Sequence, residues 1–144
     1  MKMKTSEKGI EMIKGFEGLR LEAYDDGAGV LTIGFGHTKG VYKGQTCTEE
    51  QAEAWLRSDL EDAENVVNAT GVELRQCQFD ALVSFVFNLG GQNFSTSTLR
   101  RKVIANPDNP SIRDEFEKWI YAGGRIMPGL VSRREREADM YFSE

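Results

Sequence analysis

The periodicity of the chain changes abruptly near Thr48, and that change decides what it can fold into. Upstream, more than half of the 15 glycines fall between Gly15 and Gly44, among alternating apolar and polar residues and turn pairs such as Asp26-Gly27. Glycine reaches the positive φ that tight turns need, so this stretch predicts β-hairpins. From Thr48 onward Ala52, Trp55, Leu56, Leu60, Ala63 and Val67 recur every three or four positions, which predicts one long helix from about Glu49 to Asn68. Thr48 as N-cap, with Gln51 reaching back, supplies a capping box, and Gly71 stands near where a C-terminal glycine cap belongs.

Further on, Leu74 to Leu89 is apolar nearly all round apart from Asp80 and Ser84, the pattern of a central core helix stopped by Gly90-Gly91. Shorter helices are expected at Thr98 to Ala105, Ile112 to Ala122 and Ser132 to Phe142, with breaks at Asn106-Pro107, Asn109-Pro110 and Gly123-Gly124. At the other end, Ser6 or Thr5 caps a helix whose apolar face is Ile10, Ile13 and Phe16. These elements predict an α+β fold. A small β-hairpin lobe at about 15–47 is joined by the helix at 49–68 to a larger helical lobe at about 72–144, with the first helix docked on it. All 144 residues are expected to form a single domain. A groove between two unequal lobes would suit a polymer.

Composition narrows the function. The longest nearly apolar stretch, Ala81 to Phe87, is interrupted by Ser84 and falls far short of the ~18 residues of a membrane span. The leading residues carry lysines with no apolar run behind them, so the expectation is synthesis in the cytoplasm without a signal peptide. A formal charge of -5 argues against a general grip on nucleic acid. The charge is uneven: Leu99 to Arg136 carries +4, suited either to an anionic ligand or simply to solvated helix faces. Seven acids between Glu49 and Glu64, against the single Arg57, read as a solvated helix face. Cys47 and Cys77 read as free thiols, and one histidine without metal-ligand spacing predicts no metal. Trp55 and Trp119 lie on apolar helix faces and read as core.

Reactive groups concentrate between Phe16 and Thr38. Glu17 ends the first helix, Asp25 and Asp26 sit at a turn, and Thr32 and His37 lie on or after a strand. Two carboxylates held apart are what glycoside hydrolysis requires, one protonated to serve the leaving oxygen and one ionised to act on water or carbon. Their surroundings must therefore differ, and Glu17 beside Phe16 occupies a drier position than an aspartate in a glycine-rich turn. The spacing Glu17, Asp26, Thr32 arises by chance in about one sequence in twenty of this composition, so the surrounding residues must carry the assignment.

Those residues are Glu17-Gly18-Leu19-Arg20-Leu21, Tyr24, Asp26, Thr32-Ile33-Gly34 and Gly36-His37, a string that resembles the phage-type lysozymes. The resemblance continues through Thr48 to Leu60, Gln78 to Leu82, Phe87-Asn88-Leu89-Gly90, Ser97-Thr98-Leu99, and Gly129-Leu130-Val131 with Arg133, Arg134 and Glu137. It implies a lysozyme-like fold and a cofactor-free muramidase that cleaves the β-1,4 bond between N-acetylmuramic acid and N-acetylglucosamine. Glu17 would be the general acid, Asp26 the carboxylate that orients the attacking water, and Thr32 the hydroxyl that helps hold it. Inversion is implied, with carboxyls about 6.5–9.5 Å apart.

By the same resemblance His37 pairs with Asp59 as a structural tie, and Phe87, Asn88 and Ser97 face substrate. Arg133 or Arg134 would be the arginine near the acid, with Arg134 taken as the substrate-binding member. Core packing for Phe87, a helix cap for Asn88 and an ordinary helix terminus for the arginines are the competing structural readings. The expected partner is peptidoglycan, reached after release by a holin, and the expected state is a monomer without membrane insertion. A wall-binding module without turnover, a glycosidase of chitin-like polymers and a lytic transglycosylase are the competing functions.

Overall fold

The computed structural model describes residues 2–143, which divide into two compact units: Ile10–Glu61, and the residues up to Gly9 together with those from Asp62 onward. The chain order is α1 (Glu7–Glu17), β1 (Arg20–Asp25), β2 (Leu31–Gly34), α2 (Glu49–Asn68), α3 (Gln76–Leu89), α4 (Gly91–Ser95) and α5 (Thr98–Ala105). It ends with α6 (Ile112–Glu117), β3 (Tyr121–Ala122), β4 (Arg125–Ile126) and α7 (Pro128–Tyr141).

In the unit Ile10–Glu61, β1 and β2 pair antiparallel with Tyr24 opposite Thr32 and Asp25 opposite Leu31, and a register shift separates Tyr24 from Arg20. Residues 45–47 bond the other edge of β1: Ala23 N–H donates to Gln45 O and Cys47 N–H to Leu21 O, each at 2.9 Å. The capping box at the head of α2 is formed, with Thr48 N donating to Gln51 Oε1 at 2.9 Å and Gln51 N to Thr48 Oγ1 at 3.1 Å. Ala52, Leu56 and Leu60 of α2 are buried, as are Ile33 and Phe35 of the hairpin. Gly34, at φ +67°, leaves only 3.1 Å between a hypothetical Cβ and Ala52, so a side chain there would crowd α2.

The other unit is helical. Its core is an aromatic cluster in which Phe85 meets Phe94, Phe116 and Trp119 edge-on at centroid distances of 6.2, 5.7 and 5.7 Å, and Phe116 meets Tyr141 at 5.7 Å. Edge-to-face contacts suit the aromatic quadrupole and add to area burial. α3 packs on α7, and α7 on α6. The leading segment is stitched into this unit by side chains. Asn68 accepts from Met3 N and donates to Met3 O, Gln76 donates to Lys4 O, and Glu64 takes both N–H and O–H of Thr5. Asp80 likewise takes both donors of Ser6, whose hydroxyl also caps α1 through Gly9 N.

Three elements differ from the sequence expectation. The helix expected to reach Ala122 stops at Glu117, and Gly123-Gly124 is the turn of the β3–β4 hairpin instead of an inter-helix break. Both glycines have positive φ, +59° and +79°, as a two-residue turn between twisted strands demands. α7 begins at Pro128, four residues before the expected Ser132, because proline is accommodated at the first helical position. The one-turn α4 after Gly90 was not foreseen.

Candidate functional site

Glu17, Asp26 and Thr32 all belong to the unit Ile10–Glu61. Glu17 is the last residue of α1, where Gly18, at φ +72°, donates its N–H to Lys14 O and turns the chain out of the helix. The Glu17 side chain is half-buried. Gly36 fixes its surroundings: a Cβ there would lie 2.7 Å from Glu17 Oε1, so the carboxylate rests against backbone that only glycine leaves open, at φ +77°.

Asp25 and Asp26 brace the exposed loop that follows β1. Asp25 Oδ1 accepts from Gly27 N and Gly29 N at 2.8 and 3.1 Å, and Asp26 Oδ1 accepts from Ala28 N and Val30 N at 2.8 and 3.2 Å. The remaining oxygen of each aspartate makes no hydrogen bond among the described residues. The pleat separates the two acids. Tyr24 faces Thr32 across the ladder, and the pairing continues through the Asp26 N–H to Val30 O bond. Alternation then puts Asp26 on the face of Tyr24 and Thr32, and Asp25 on the opposite face with Leu31. Thr32 is buried, and its hydroxyl donates a long 3.3 Å bond to Val30 O.

His37 lies 2.8 Å through Nδ1 from Asp59 Oδ2 and stacks on Trp55 with centroids 4.7 Å apart and rings 7° from parallel. Trp55 is therefore a half-buried shelf for the histidine, a pairing that a purely apolar reading of the helix face overlooks. Gly36 also went unassigned in sequence reasoning, although the Gly-Phe-Gly-His string flags a backbone position that tolerates no side chain.

The four residues expected to contact substrate lie in the helical unit and are used differently. Phe87 is half-buried near the end of α3, and Asn88 is exposed. Ser97 caps α5. It is buried, accepts from Arg100 N at 3.0 Å and donates to Phe94 O at 2.7 Å, so its hydroxyl is committed within the fold. The Arg134 side chain has no exposed area.

Arg134 Nη2 donates to Asn88 Oδ1 at 2.7 Å and to Glu137 Oε2 at 3.3 Å. Its Nε stands 2.9 Å from Glu137 Oε1, an ionic contact misaligned for a hydrogen bond. Glu137 also accepts from Ser84 Oγ at 2.5 Å and from Arg133 Nε at 3.2 Å. Burial pulls the Arg134 guanidinium down to about 10 against the attraction of Glu137, and burial pushes the Glu137 carboxyl up against the two arginines. Both arginines are thus buried in an ionic network, contrary to a solvated helix terminus. Among the described residues no cluster of three histidine, cysteine or acidic side chains is arranged to hold a metal ion.

Comparison with known proteins adds an independent line. The phage lysozyme family model matches residues 14–137. An endolysin of Acyrthosiphon pisum secondary endosymbiont phage 1 is 44% identical over 146 aligned positions, covering 98% of this chain and 99% of the relative. Among solved structures, the endolysin from Escherichia coli O157:H7 phage FAHEc1 superposes with a TM-score of 0.91 at 38% identity, covering 99% of this chain and 95% of that one. The muramidase domain of SpmX from Asticaccaulis excentricus superposes with a TM-score of 0.90 at 35% identity, covering 98% and 99%.

Proposed function

The chain belongs to the phage lysozyme family and is a glycoside hydrolase, and we propose that it cleaves the β-1,4 bond between N-acetylmuramic acid and N-acetylglucosamine of peptidoglycan with inversion. Glu17 delivers its proton to the glycosidic oxygen as the bond to the anomeric carbon breaks. Asp26 takes a proton from a water that attacks the same carbon from the opposite face, and the Thr32 hydroxyl helps hold that water.

The observation that carries this reading is the shared hairpin face of Asp26 and Thr32. Asp26 spends one oxygen bracing its own exposed loop and keeps the other for water. Glu17, half-buried against Gly36, is the carboxyl assigned as proton donor. Inversion requires room for a water between the carboxyls, about 6.5–9.5 Å.

We further assign Ile10–Glu61 and the helical unit to one lysozyme domain acting as a monomer. Among the described residues no helix is long and apolar enough to cross a membrane. For access to the wall we propose a separate permeabilising protein, a holin where the gene is phage-borne.

The test is clearing of bacterial walls followed by product analysis in heavy-oxygen water. The native chain is expected to clear walls and place solvent oxygen at the new reducing end, initially as the inverted anomer. Glu17→Gln is expected to lose about 10²- to 10⁴-fold in rate with its Tm unchanged. An anhydro product would assign a transglycosylase, and equal behaviour of the two proteins would leave only wall binding.

A further inference from the structure

Lys14 lies three residues before Glu17 on α1, and both its backbone and its side chain bear on that carboxyl. Its carbonyl accepts the Gly18 N–H at 2.9 Å, the bond that closes the chain around the end of the helix at Glu17. Its ammonium bonds Glu53 Oε1 of α2 and Glu11 Oε2, the latter at 3.1 Å, and stands over the Phe35 ring at 5.4 Å from its centre. The side chain is only 14% exposed, so the pair with Glu53 is not the freely solvated kind that contributes little. Glu53 is fixed in turn, because Arg57 Nε and Nη2 donate to its second oxygen at 3.2 and 3.0 Å. The Glu53 bond holds the Lys14 ammonium above its usual range, and Lys14 and then Arg57 hold the Glu53 carboxyl below its own.

The ring beneath the ammonium belongs to the turn on which Glu17 rests. Ile33 N–H donates to His37 O at 2.9 Å and His37 N–H to Ile33 O at 2.8 Å, which closes residues 33–37 into a tight loop. Phe35 of that loop is buried, and the next residue, Gly36, is the backbone that leaves room for Glu17 Oε1. One ammonium therefore ties together the end of α1 that carries the acid, the turn that backs it, and α2, all within Ile10–Glu61.

Resting on the reading of Glu17 as proton donor, we propose that Lys14 is a positioning residue whose ammonium, pinned by Glu53 and seated on Phe35, holds the Glu17 carboxyl against the 33–37 turn in the place from which it protonates the glycosidic oxygen. A small displacement of a proton donor costs the chemical step far more than it costs substrate binding, so the signature is a loss in kcat at unchanged KM.

Lys14→Met keeps the stem over Phe35 and deletes the charge. Measured as initial rate against wall concentration, it is expected to lower kcat about tenfold per folded molecule and to leave KM within about twofold. Glu53→Met leaves the Lys14 charge in place but removes its anchor, and is expected to lower kcat about fivefold. Lys14→Arg keeps a cation for both the carboxylate and the ring, and is expected to hold kcat within about twofold of native. In a Glu17→Gln background Lys14→Met is expected to cause no further loss, because a residue that acts through the acid has nothing left to place.

Native kcat in Lys14→Met overturns the proposal, as does raised KM at native kcat, which would make Lys14 a binding residue. Native kcat in Glu53→Met beside a loss in Lys14→Met overturns the anchoring and leaves the charge alone as the cause. A full further loss in the Glu17→Gln background overturns action through the acid. If Glu17→Gln clears walls at the native rate, the proton-donor reading falls and this inference with it. A loss in Glu17→Gln with unaltered Lys14 variants removes this inference alone.

Discussion

The two units of this protein handle polar side chains in opposite ways. In Ile10–Glu61 the acids of the hairpin are tied to nearby backbone, so Asp25 and Asp26 shape their own loop and still present an oxygen to water. In the helical unit three charged residues of α7 turn inward, and Arg133, Arg134 and Glu137 form a buried network with Ser84 of α3. A loop braced by its own side chains can keep reactive groups at the surface. A buried ionic cluster, in contrast, cannot touch solvent and acts only through what it orients. Under the proposed mechanism this contrast would put the chemistry in Ile10–Glu61 and leave the helical network a bracing role.

That contrast is most exposed to failure at Glu137. Removing one member of a fully buried ion cluster leaves uncompensated charge, so Glu137→Leu is expected to cost about 3–5 kcal/mol in chemical denaturation, with Arg133 and Arg134 stranded. A loss below about 1 kcal/mol would show that the cluster is not a stabilising centre.

A smaller effect is expected at the corresponding tie in the other unit. His37→Asn forfeits the hydrogen bond to Asp59 and the stack on Trp55, and should lower stability by about 1.5–3 kcal/mol while activity per folded molecule is largely kept. Abolished turnover at an unchanged Tm would instead make His37 part of the chemistry and erase the division of labour within its own unit.

The mildest of the three changes sharpens the boundary. Ser97→Ala should cost about 1 kcal/mol, the usual value of an N-cap, and leave KM for walls unaltered. A KM effect at native stability would return Ser97 to the substrate surface.

Much of this was legible where the information is local. The Thr48–Gln51 box and the spacing of Ala52, Leu56 and Leu60 announce α2 because a cap and a helical face lie within a few residues of each other. The β3–β4 hairpin was not legible, since strands of two residues have no periodicity and Gly123-Gly124 marks a break as readily as a turn. For the site, Glu17, Asp26 and Thr32 were chosen by spacing and resemblance, and the register of β1 on β2 adds the alternation in face between Asp25 and Asp26, which spacing does not carry. The burial of Arg134 was not legible because an arginine-rich run reads as an ordinary helix terminus until its helix is packed. The i to i+4 spacing of Arg133 and Glu137, just ahead of the buried Ala138 and Tyr141, was the available signal.

The stitching of Met3 through Ser6 bears on how the protein tolerates editing at its front end. Chain termini usually accept trimming, because few neighbours depend on them. Here Glu64 takes its donors from Thr5, and Asp80 takes donors from Ser6 beside the one from Gln76, so removing Thr5 and Ser6 would strand the Glu64 carboxylate in a dry interior and loosen the hold on Asp80. The segment Met3 to Ser6 is a fastener, and an affinity handle belongs outside it, never in its place.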